Sequence, residues 1–236
     1  MTTERPQPTT AGRPGRTGTE IPGVVDWVVG LLPALVGAGM ALGGGIAYWV
    51  LDRGELQSSI SDLPLPELGL TRTELVTTML PALEWLFIGI VATGLVLVAG
   101  GIGFVLSRRM TRRRAAQGNG TVRTVWAHAV YGAATAALVP FAPLSGLVAG
   151  GVAGYLEPPG RSRARAGARA GLLGAIPAVG ILGAGAVGIV VGASAIGELG
   201  VGLLVGGLGG AVVLAVLVVL SAGLGALGGT VADRLV

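Results

Sequence analysis

Two ionisable side chains, Glu84 and His128, stand at the edges of long uncharged stretches. There a carboxylate or an imidazole could carry a proton or steer an ion. Neither has the company such chemistry needs. Glu84 directly precedes Trp85, which places it at a membrane–water boundary. His128 lies two residues from Trp126, and no Asp or Glu shares its uncharged run. One imidazole does not make a metal site, and no serine has a histidine and a carboxylate in plausible reach. Cysteine is absent, which removes disulfides, thiolate catalysis and iron–sulfur clusters. Gly118-Asn119-Gly120 is a turn without the Gly-Lys-Ser/Thr ending of a phosphate loop. No catalytic residue, cofactor or metal is therefore expected, and the chain reads as a protein that is not an enzyme.

The remaining chemistry is basic. All 16 basic residues are Arg, and most form two clusters. One is Arg108, Arg109, Arg112, Arg113 and Arg114; the other is Arg161, Arg163, Arg165 and Arg169. Basic groups near an anionic bilayer surface gain roughly 1 kcal/mol each. Both clusters are thus candidate anionic-lipid contacts, as well as determinants of orientation. A nucleic-acid partner would need a folded reading element beside the charge, and none is visible.

The elements that must position these groups are transmembrane helices. Trp27–Leu51, Trp85–Ser107, Thr124–Leu156, Ala170–Gly197 and Leu199–Ala232 carry no Asp, Glu, Lys or Arg. Each exceeds the roughly 20 apolar residues that cross a hydrocarbon core of about 30 Å. Their apolar runs are continuous and do not alternate, which excludes barrel strands. Only 12% of residues are charged, too few to cover a soluble domain of this length. The first 22 residues, rich in Thr, Pro, Gly and Arg, are expected to be disordered. The first apolar run outlasts a signal-peptide core of about 7–15 residues and reads as a retained helix.

Charge flanks orient the chain, because short cytoplasmic loops are rich in Arg and Lys. The tail carries Arg5, Arg13 and Arg16; segment Asp52–Glu74 is mostly acidic; Ser107–Arg123 holds six Arg and no acid. The first two helices therefore run outward and back. Trp27, Tyr48, Trp49, Trp85 and Trp126 sit where interfacial anchors belong. The third run is flanked by basic segments on both sides and broken by Pro140-Phe141-Ala142-Pro143. Its arms, Trp126–Val139 and Leu144–Tyr155, reach only about 21 and 18 Å as helices. A re-entrant hairpin with Pro140 and Pro143 at its tip reconciles lengths, prolines and charges. The rival is one kinked crossing that places Arg161–Arg169 outside.

Forty-four glycines supply the packing signal. Gly146, Gly150, Gly154; Gly188, Gly192; Gly202, Gly206, Gly210; and Gly225, Gly229 recur at four-residue spacing. That spacing stacks them on one helix face, where neighbouring backbones can approach closely.

The segments Pro140-Phe141-Ala142-Pro143-Leu144, Gly150-Gly151-Val152-Ala153-Gly154-Tyr155-Leu156-Glu157 and Gly167–Pro177 resemble a small membrane-protein family of halophilic archaea. That family is a domain of unknown function. The resemblance covers about 126–236 and implies a membrane location and lineage, with no activity attached. Residues 1–123 then look like an added unit.

The expected fold is an all-α polytopic transmembrane bundle, with four full crossings plus the hairpin, or five crossings in the rival threading. The chain divides into a cytoplasmic tail (1–22), a two-helix unit with a basic cytoplasmic loop (23–123) and a Gly-rich transmembrane domain (124–236). Both termini are expected to be cytoplasmic, in a cell membrane. The functional expectation is a structural or accessory membrane subunit, with a second copy or another membrane protein as partner. The alternative is a small transporter or channel using the 140–143 tip, with Glu84 or His128 in a proton-coupled version.

Overall fold

The computed structural model describes residues 23–52, 54, 55, 58, 71–117, 125–136, 142–157 and 161–235. The expected tail 1–22, the turn at Gly118–Gly120 and Pro140 lie outside them. Among the described residues the main regular elements are helices: α1 (Gly23–Val50), α2 (Arg72–Ala116), α3 (Val125–Ala136), α4 (Ala142–Leu156), α5 (Arg163–Ala195) and α6 (Leu199–Leu235). Helices α1, α2, α5 and α6 are long and apolar enough to cross a membrane. The protein is thus a membrane-embedded helical bundle.

Helix α2 outruns its apolar core in both directions. At its start Thr71 and Glu74 form a reciprocal cap: Thr71 N–H donates to Glu74 Oε2 at 2.7 Å, and Glu74 N–H donates to Thr71 Oγ1 at 3.3 Å. At its end the helix continues to Ala116, so the basic segment expected as a loop from Ser107 begins as more than two further turns. Arginine is a good helix former. The i, i+4 spacing of Arg108 and Arg112 then puts both on one face. Helix α5 is capped at its start by Ser162, whose side chain accepts from Arg165 N–H. Between α5 and α6 the chain turns through Gly197, at φ +81°, a conformation open to glycine without strain. Within α6, Leu203–Gly209 is wound as a π-helix.

Backbone contact sets the arrangement. Helices α1 and α2 run antiparallel, with Gly30 against Gly101 and Gly37 against Gly94. Helix α5 runs antiparallel to α2 through Gly188 on Ala82 and Gly192 on Thr78. It also runs antiparallel to α6, with Gly171 on Ser221 and Gly206 on Ala186. Helix α4 runs parallel to α6, matching Gly146, Gly150 and Gly154 to Ser221, Gly225 and Gly229. A Cβ at Gly188 would fall 2.6 Å from Ala82 Cα, and one at Gly154 2.7 Å from Gly229 Cα. Non-bonded carbons prefer about 3.5–4.0 Å, so only glycine fits. The glycine series read from spacing therefore lie in contacts within one chain.

The third run folds back on itself. Helices α3 and α4 pair antiparallel, and His128 at the start of one lies 2.9 Å from Glu157 just past the end of the other. A single kinked crossing would hold these residues roughly 44 Å apart at 1.5 Å per residue. The hairpin geometry is what the structure contains. Its arms are 12 and 15 residues, or about 18 and 22 Å, too short to span a bilayer. Pro143 falls in the first turn of α4, where its missing N–H breaks no helical bond. The hairpin seats on α5 through Ala129, Ala136, Ala149, Ala153, Ala166 and Ala170. No large side chain is completely buried among the described residues.

Candidate functional site

The antiparallel pairings bring six helix ends to one end of the bundle: the starts of α1, α3 and α5 and the ends of α2, α4 and α6. Among the described residues the buried ionisable groups collect there. Asp26, in the first turn of α1, is 4% exposed. Arg108 Nε donates to its Oδ1 at 3.2 Å, and Arg112 Nε donates to its Oδ2 at 2.7 Å. The Tyr131 hydroxyl of α3 also donates to Oδ1. Phe104 holds the Tyr131 ring edge-on, with centroids 5.6 Å apart. The group ties α1, α2 and α3 together through one carboxylate. Two guanidinium groups share that carboxylate.

One turn earlier on α3, His128 Nδ1 faces Glu157 Oε2 at 2.9 Å, and both residues are buried. With its proton on Nδ1 the imidazole donates to the carboxylate, closing the hairpin base. The second carboxylate oxygen lies 3.8 Å from Arg161. A third pair, Arg163 with Asp233 at 3.1 Å, joins the start of α5 to the end of α6. Arg163 also donates to the Ala232 carbonyl at 3.3 Å. Arg169 lies over the Trp126 ring, 5.6 Å from its centroid, within cation–π range.

Beside these clusters lies a cavity of about 650 Å³ between α1, α2, α3 and α5. Its walls are mainly aliphatic, and Ser107, Arg108 and Thr111 line it toward the basic end. Among the described residues no group of three His, Cys, Asp or Glu is placed to hold a metal ion.

The residues expected to meet anionic lipid thus divide. Arg108, Arg112, Arg161 and Arg163 contact acidic side chains inside the protein. Arg109, Arg113, Arg114 and Arg165 are exposed, as is Arg169 above Trp126. Glu84 is half-buried on α2, at the opposite end from His128. Pro143 is at the start of α4, away from the ionic groups, and Pro140 lies outside the described residues.

Asp26, Tyr131 and Glu157 escape the sequence reading. Asp26 sits one residue before the uncharged stretch that begins at Trp27 and so counts as flank. Glu157 counts as a loop charge, although the hairpin makes it the partner of His128. The signal for Asp26 was the i, i+4 pair Arg108 and Arg112 at the same expected membrane face.

No curated protein and no solved structure matches the chain. A family profile described as a family of unknown function (DUF5518) matches residues 126–235, the hairpin together with α5 and α6.

Proposed function

We propose that the chain is a non-enzymatic multi-pass protein of the cell membrane, a structural or accessory subunit with both termini in the cytoplasm. The observation that carries this reading is the re-entrant hairpin pinned at its base. His128–Glu157 and Asp26–Arg108–Arg112–Tyr131 use buried ionisable groups to hold helices together. Such groups in a membrane ordinarily mark an ion path; here they pair with one another. The excess of Arg at the end where the six helix ends meet supports a cytoplasmic placement of that end. The halophilic archaeal lineage implied by the hairpin and Gly-rich motifs belongs to the same proposal, with exposed Arg109, Arg113, Arg114 and Arg165 meeting anionic headgroups.

A cysteine-free chain makes the topology testable. Single cysteines at Ser162 and Arg114 should resist a membrane-impermeant maleimide in intact cells and react once cells are opened. A cysteine at Asp52 should react in both. Labelling of Ser162→Cys in intact cells would overturn the placement of the hairpin base.

The four buried titratable groups Asp26, His128, Tyr131 and Glu157 beside a cavity favour a second reading, a small proton-coupled transporter. Proton flux into vesicles carrying the reconstituted protein separates the two. Saturable flux abolished by His128→Gln would replace the structural reading with the transporter.

A further inference from the structure

We propose that the cavity between α1, α2, α3 and α5 holds one acyl chain of an anionic membrane lipid, with its headgroup at the Arg108–Arg112 end. The cavity, about 650 Å³, falls within the range of roughly 300–1,000 Å³ typical of small-ligand sites. It is elongated along the helices: its α2 wall runs from Val96 to Thr111, about 22 Å at 1.5 Å per residue. Toward Val96 the lining is hydrocarbon, including Val36, Leu97 and Ile176. Toward Thr111 it gains Ser107 and the Arg108 guanidinium. Apolar and polar lining thus separate along one axis, as the tail and head of an amphiphile do.

Charge selects the occupant. Arg108 and Arg112 share the single carboxylate of Asp26 at the end of the slot beside Arg108. Exposed Arg109 and the Arg169–Trp126 pair stand at the same end. An anionic headgroup is complementary to this concentration of arginine. The bilayer is the source: Val36, Val96 and Ile176 line the cavity while remaining exposed. The backbones of α1 and α5 do not approach each other closely among the described residues, so the slot is open between them, toward the side a bilayer would occupy.

Two glycines give a test that leaves the fold alone. Gly100 and Gly103 line the slot, and a Cβ built on either meets nothing within 4 Å. Gly100→Leu with Gly103→Leu therefore adds bulk at the slot wall from positions where a Cβ meets no neighbour. The full chain would be reconstituted into vesicles of equal phosphatidylglycerol and phosphatidylcholine, extracted in mild detergent, and weighed intact by native mass spectrometry. The wild type should retain one phosphatidylglycerol per chain in preference to phosphatidylcholine. The double leucine variant should retain at least tenfold less, with its melting temperature unchanged. Arg112→Gln, which removes one guanidinium from that end, should lower the preference for phosphatidylglycerol about fivefold, the equivalent of one surface charge. Arg113→Gln with Arg114→Gln, outside the slot lining, should weaken surface contact with headgroups and leave the one retained phosphatidylglycerol in place. Retention unaffected by the leucines, equal retention of the two lipids by the wild type, or no retained lipid would each overturn the assignment.

Discussion

Gly225 and Gly223 lie two residues apart on α6, yet the same substitution should be costly at one and harmless at the other. Gly225 sits where α4, α5 and α6 meet. A Cβ there would fall 3.1 Å from Gly171 Cα and closer still to the Gly167 carbonyl. Both obstacles are backbone, so no side chain can swing aside. Overpacking costs about 1–3 kcal/mol, and the upper part of that range applies where backbone must move. Alanine regains roughly 0.5–1 kcal/mol of helix propensity over glycine. Gly225→Ala should therefore lose about 1–2 kcal/mol net, a fivefold to thirtyfold fall in the folded-to-unfolded ratio. Gly223 meets nothing within 4 Å, so Gly223→Ala should be neutral or stabilising by at most about 1 kcal/mol. Titration with SDS in mixed micelles, followed by tryptophan fluorescence, gives both midpoints. Equal shifts for the two variants would refute the argument that backbone contact places these glycines.

The ionic groups should separate by burial. Asp26→Asn strands Arg108, whose side chain is only 11% exposed, and should cost about 3–5 kcal/mol. Pairing Asp26→Asn with Arg108→Gln should recover more than half of that loss in the same titration; additive losses would mean that the contact contributes nothing. Asp233→Asn should cost less than about 1 kcal/mol, because Asp233 is 70% exposed and Arg163 keeps the Ala232 carbonyl. A larger shift would show that the end of α6 depends on that pair. Glu157→Leu should leave His128 buried without its carboxylate, at about 1–3 kcal/mol. Hydrogen exchange should then quicken across α3 and not across α1; uniform protection would refute the role of Glu157 at the hairpin base.

The fold was legible wherever composition alone decides it. Runs free of charge announce α1, α2, α5 and α6, because lipid demands continuous apolar helix. The hairpin was legible from Pro140, Pro143 and the Arg on both flanks, since arms that short do not span a bilayer. Helix ends were harder. Arg108–Arg114 reads equally well as loop or helix, and only its tertiary partner Asp26 shows why the helical face matters. The same holds at the hairpin base. His128 and Glu157 are 29 residues apart, and nothing local to either announces the other. Spacing marked the glycines of α4, α5 and α6, yet it could not say that Gly150 and Gly154 would meet Gly225 and Gly229 in parallel. The cavity leaves no trace in a one-dimensional pattern, because its walls come from four separate helices.

The parallel seating of α4 on α6 has a consequence for biogenesis. Synthesis runs from the N-terminus, so the hairpin leaves the ribosome before the helix that receives its glycine face. Until α6 arrives, Gly150 and Gly154 have no backbone to meet, and arms this short cannot hold a transmembrane position by themselves. The hairpin must wait at the membrane surface, or rest against α5 alone, and slot inward only when the last helix is threaded. Maturation of this protein should therefore be a late, concerted event, and a chain arrested before α6 should expose its hairpin to membrane quality-control proteases.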